Sequence, residues 1–129
     1  MDLKRRNRIR AEMKKADDYL LSAEILHKQG LYAPSVTVAY HCACHAAVAA
    51  FLTSGSTAMH KGPVASMTAI AVKFSDKLDP FIEKLNEARS ELKMSPSLDY
   101  LENDALLRLY QTKEFFLEVK DFLRRVIRY

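Results

Sequence analysis

Apolar residues recur early in the chain at three- and four-residue steps: Ile9, Met13, Ala16, Leu20 and Ala23. That is the period of one helix face, and Arg, Lys, Glu and Asp fill the opposite side. The pattern predicts a helix over residues 3–29, ended by Gly30, because glycine readily takes the left-handed conformation that closes many helices. Residues 31–34 read as a short corner, and Pro34 suits the first turn of a second helix, where its missing N–H would be unpaired anyway. That helix, about 34–53, reads PSVTVAYHCACHAAVAAFLT. A helix apolar nearly all round is normally buried all round. Its alanines let neighbouring backbones approach closely, and in a domain this small such burial is expected to need a second copy of the chain. Its polar line is Thr37, His41 and His45, four residues apart and so stacked on one face.

Further on, Gly55 and Gly62 bracket a loop over 54–62, SGSTAMHKG. A short third helix is expected at about 63–74. A fourth follows at about 77–93, with Leu78, Phe81, Leu85, Ala88 and Leu92 on one stripe and Pro80 in its tolerant first turn. MSPSL at 94–98 interrupts the pattern, since Pro96 disfavours a helical Ser95. The last helix, about 99–127, puts Leu109, Phe116, Val119, Leu123 and Val126 on one side, with Asp99 suited to its N-cap. No strand pattern competes. The expected fold is all-α, an up-and-down bundle of four to five helices, with residues 1–129 forming a single domain. At 129 residues a chain buries about two thirds of its unfolded surface and needs neither disulfide nor metal to fold.

Charge sharpens this picture. The formal net charge is +4, and the first ten residues account for all of it, with Lys4, Arg5, Arg6, Arg8 and Arg10 against Asp2 alone. The chain ends basic again, with Lys120, Arg124, Arg125 and Arg128 against Asp121. Basic ends hold phosphate backbones without reading sequence; the plainer alternative is a solvated helix face. Arg5 and Arg6 are the binding candidates at the first end. Cys42 and Cys44 would point about 200° apart on a helix, too divergent for a disulfide, which suits reduced core residues in a reducing compartment. No apolar leader opens the chain. The longest apolar stretch, Cys42 to Leu52, is interrupted by His45 and falls well short of a ~20-residue span. The expectation is a cytoplasmic protein with no membrane contact.

Histidines at i and i+4, such as His41 and His45, can reach one metal ion. No HExxH or CxxC adds further ligands, so neither metal nor cofactor is expected. The pair suits acid–base work near neutrality or, more plainly, a polar stripe facing a partner helix or groove. His27 favours the negative end of its helix dipole. Arg89 either pairs with an acid on another helix or offers its fork to phosphate. There is no glycine-rich phosphate cradle, no Ser/His/Asp set and no tryptophan platform for stacked bases. No residue is assigned a catalytic role.

Leu20-Leu21, Ala23, Gly30, Leu31-Tyr32-Ala33, Ser35 through Tyr40 and His45-Ala46-Ala47 together resemble the HEPN domain family. His60 with Gly62 resembles its loop motif, and Arg89 followed by Asp99-Tyr100 its later element. The resemblance spans roughly residues 12–127. It implies a small bundle of four or five helices that commonly dimerises. Many members are metal-independent endoribonucleases, often toxins paired with a minimal nucleotidyltransferase antitoxin; others are non-catalytic partners or bind nucleotide or RNA. The ribonuclease type follows its arginine shortly with a histidine. Here Arg89 is followed by SELKMSPSLDY, and no histidine occurs after His60. The expected function is a homodimeric HEPN module acting with a nucleotidyltransferase-like partner, or binding RNA or nucleotide. Its binding candidates are Arg89, His41, His45, Asp99, Tyr100, Arg5 and Arg6. The alternatives are an endoribonuclease toxin of a toxin–antitoxin pair and a helical scaffold without ligand.

Overall fold

A computed structural model describes residues 1–53 and 101–128. They form three helices: α1 (Leu3–Lys28), α2 (Tyr32–Leu52) and α3 (Glu102–Ile127). No strand occurs among the described residues. The loop, the two middle helices and the break expected between residues 54 and 98 lie outside them.

Each boundary has a local cause. Asp2 caps α1 by accepting from the Arg5 N–H at 2.7 Å, which satisfies one of the unpaired donors at a helix start. At the other end Gly30 takes φ +78°. The Gly30 N–H donates to the His27 carbonyl and the Leu31 N–H to the Leu26 carbonyl, both at 3.0 Å, so the turn closes within three residues. The corner is therefore tighter than the expected 31–34. α2 begins at Tyr32, and Pro34 sits in its first turn, where no N–H is required. α3 starts later than expected. Its N-cap is Leu101, which makes no side-chain capping bond; Asp99, the expected cap, lies outside the described residues. Glu102 and Asp104 instead place negative charge in the first turn, where the helix dipole favours it.

Four contacts set the directions. The buried Ser35 hydroxyl, in the first turn of α2, donates to the Ala23 carbonyl near the end of α1 at 2.8 Å. Farther along the same pair, Glu12 meets His45, so α1 and α2 are antiparallel. The Arg6 guanidinium donates to the Ile127 carbonyl at 2.9 Å, and the His27 Nε2 lies 3.4 Å from the Glu102 carbonyl, so α1 and α3 are antiparallel too. α2 and α3 therefore run parallel, and all three helices pack on one another.

The core is the predicted stripe of α1, Ile9 to Ala23, joined to Leu109, Phe116, Val119 and Leu123 of α3 and to the alanines of α2. Val126, expected on that stripe of α3, is 52% exposed. Ala43, Ala46, Ala47, Ala49 and Ala50 are all 0% exposed in a single copy. This corrects the expectation that α2 needs a second copy to be covered, because alanine is so short that the chain's own helices close over it. α2 is also long and apolar enough to cross a membrane by length and composition, although 61% of its apolar window is buried inside the protein. The uninterrupted-run criterion missed this because it stopped at His45.

Ala47→Glu should abolish the cooperative thermal transition followed by circular dichroism, since it forces a carboxylate into a closed apolar contact. A folded variant with an unchanged melting temperature would contradict this packing. Ser35→Ala removes the buried bond between α2 and the Ala23 carbonyl of α1 and should lower stability by about 1 kcal/mol in urea unfolding.

Candidate functional site

Arg5, Arg8, Glu12, Lys15 and Tyr19 follow three- and four-residue steps along α1, which aligns them on one flank beside the core stripe. On α2 the matching flank carries His41 and His45. Because Ser35 fixes the register of the two helices, these flanks meet. Glu12 Oε2 lies 2.7 Å from His45 Nδ1, and Glu12 Oε1 lies 4.0 Å from Lys15 Nζ. The Tyr19 ring stacks on His45 at 5.3 Å with an interplanar angle of 8° and approaches His41 at 5.8 Å. Tyr40 meets the edge of His41 at 6.2 Å.

This geometry has chemical consequences. A carboxylate only accepts, so at 2.7 Å it holds the proton on Nδ1. His45 Nε2 is left without a hydrogen bond among the described residues, able to donate to an anion when the ring is charged or to accept a proton when it is not. The side chains of His45 and Glu12 are 27% and 14% exposed. The pair is thus screened enough to stay together and open enough to meet solute. Beneath this face Cys42 is fully buried, and burial pushes its thiol up to about 12, with the Asp17 charge adding to the effect. It is therefore an inert packing group, and Cys44 on the next face is half-buried. Among the described residues no three His, Cys, Asp or Glu side chains converge on a metal position.

The structure brings only some of the expected residues together. His41 and His45 share the cluster, and the half-buried Arg5 lies on its α1 flank. Arg6 turns away to cap the last turn of α3. Thr37, on the same line as the histidines, bonds back to the Ala33 carbonyl at 3.2 Å and plays no part. His27 reaches across to α3 and packs on Tyr32 at 5.2 Å, so it joins helices as well as sitting near the end of its own. Arg89, Asp99 and Tyr100, with His60 and Gly62, lie outside the described residues. Sequence reasoning missed Glu12 and Tyr19. Their signal was their i, i+7 spacing on the border of the α1 apolar stripe, but nothing in sequence said which helix would face that border.

Two measurements check this site. In a double-mutant cycle of Glu12→Gln and His45→Gln, the pair should couple by about 1 kcal/mol in unfolding free energy; additive losses would mean that the contact contributes nothing. Under native conditions at neutral pH, iodoacetamide should modify Cys44 much faster than Cys42, with mass spectrometry of the peptides as the readout. Comparable rates would contradict the buried thiol.

No curated protein matches the chain. A family model described as the HEPN domain matches residues 9–128. That match covers nearly the whole chain, including the α1–α2 hairpin that holds the histidine cluster and the helix packed behind it, and on that extent the chain belongs to the HEPN domain family.

Proposed function

We propose that the protein is a non-catalytic HEPN module that binds RNA or a nucleotide on its α1–α2 face and works as a homodimer beside a nucleotidyltransferase-like partner. The observation that carries the binding reading is the Glu12–His45 pair with Tyr19 stacked against it, bordered by Arg5, Arg8 and Lys15 on the same flank. Cations and an oriented imidazole suit a phosphate, and an exposed aromatic ring suits a base. The absence of any histidine after His60 favours binding over cleavage. The dimer rests on the family's habit rather than on α2, and the exposed Leu107, Tyr110 and Leu117 of α3 offer apolar surface for it. The second reading, an endoribonuclease toxin, draws on the same Glu12–His45 pair, which has the form of an acid–base couple.

Fluorescence anisotropy with a short labelled RNA and with labelled ATP tests the binding. Tyr19→Ala should weaken binding about tenfold, the scale of one lost base stack, and His45→Gln should weaken it as well. Unchanged affinity in both variants would remove the α1–α2 face from the account. Cutting of the RNA by wild-type protein in EDTA would move the assignment to the ribonuclease reading. Sedimentation equilibrium should return twice the chain mass; a monomer at every concentration would remove the dimer.

A further inference from the structure

We infer that the end of the bundle where α1 begins and α3 stops is one continuous basic surface that holds a nucleic-acid backbone. In sequence its two halves are separated by almost the whole chain. In the fold the Arg6 guanidinium bonds the Ile127 carbonyl at 2.9 Å, which locks the first turns of α1 to the last turn of α3. Arg6 thereby sits at the negative end of the α3 dipole, where a cation is favoured. The neighbouring cations remain on the surface: Lys4 and Arg10 on α1, Arg124 on α3 and Arg128 at its C-cap are all exposed.

The acids at this end do not neutralise them. Asp2 accepts the Arg5 N–H as the α1 cap, and Asp121 pairs with Arg125 at 3.4 Å. Among the described residues no acid pairs with Lys4, Arg10, Arg124 or Arg128. Arg128 also closes α3 in a left-handed conformation, at φ 55°, which takes the chain off the helix axis. Folding has thus gathered like charges that repel, and the ligand that relieves this repulsion over such a distance is a polyanion. Three of the four are arginines, whose planar forks grip phosphate oxygens in pairs. They come from two separate helices rather than from one face of an amphipathic helix. That arrangement fits a strand crossing the bundle end better than a helix lying in a lipid surface.

This surface goes beyond the α1–α2 site and is tested apart from it, using Arg10, Arg124 and Arg128, which take no part in that site. With the full chain and a labelled uridine homopolymer, affinity should fall log-linearly as potassium chloride rises. The triple variant Arg10→Gln, Arg124→Gln, Arg128→Gln should bind at least tenfold more weakly at low salt. Its slope should be shallower by about 2, as expected for three lost phosphate contacts on a single strand. The corresponding lysine variant should keep the wild-type slope. A thymidine homopolymer of equal length should show the same loss, because only the backbone is read. Tyr19→Ala should lower affinity without changing the slope, which separates failure of this surface from failure of the α1–α2 site. An unchanged slope in the folded triple variant overturns the inference. So does binding to phosphatidylserine vesicles with none to either strand.

Discussion

Alanine at successive core positions of α2 removes the side-chain bulk that normally separates two helices, and the rest of the structure depends on the close contact that results. Ala39, Ala43, Ala46 and Ala50 share one buried cluster with the larger residues Ile9, Met13 and Leu20 of α1. Small facing large is how a core reaches high density without voids. The Ser35 hydroxyl adds a directional element. Its bond to the Ala23 carbonyl is buried, so sliding α2 along α1 would leave the Ser35 hydroxyl unpaired in an apolar setting.

The histidine cluster follows from that register. Once Ser35 is held opposite Ala23, three turns of antiparallel helix bring His45 level with Glu12 and put Tyr19 between the two histidines. The cluster stands at the border of the core, so its groups are sheltered from bulk water on one side and reachable on the other. The same border carries Arg5, Arg8 and Lys15, so an acidic pairing group is set among cations. A face of this kind is chemically suited to an anion with an aromatic part, and it is built from only two helices and one tight turn.

α1 is the common member of all these contacts. One side of it meets α2 and the other meets α3, and its first turns carry most of the chain's excess charge. Arg5 and Arg6 are adjacent in sequence, yet helix geometry sends them to different flanks, one beside the histidine cluster and the other to the carbonyl of Ile127. A run of basic residues read as a single feature is thereby divided into two surfaces with different neighbours.

Much of the architecture was legible in advance. The apolar periods of the first, second and last helices, the stop at Gly30 and the buried character of α2 all follow from local rules of spacing and backbone freedom, and those rules act within a few residues. Helix starts were less legible. The corner closed earlier than Pro34 suggested because backbone bonds from Gly30 and Leu31 outweighed side-chain signals, and α3 began without a polar cap at all. The need for a second copy over α2 was misjudged because composition shows how apolar a face is but not how much of the same chain is available to cover it. Among the described residues, sequence alone determined that the first, second and last helices form, which of their faces are apolar and where the charge lies. Only the tertiary structure decided that Glu12 and Tyr19 meet His45, that Arg6 joins the two basic ends, and that α2 is closed in one copy. Those outcomes depend on register and direction between helices, which are set by packing across long separations and have no local signature in the chain.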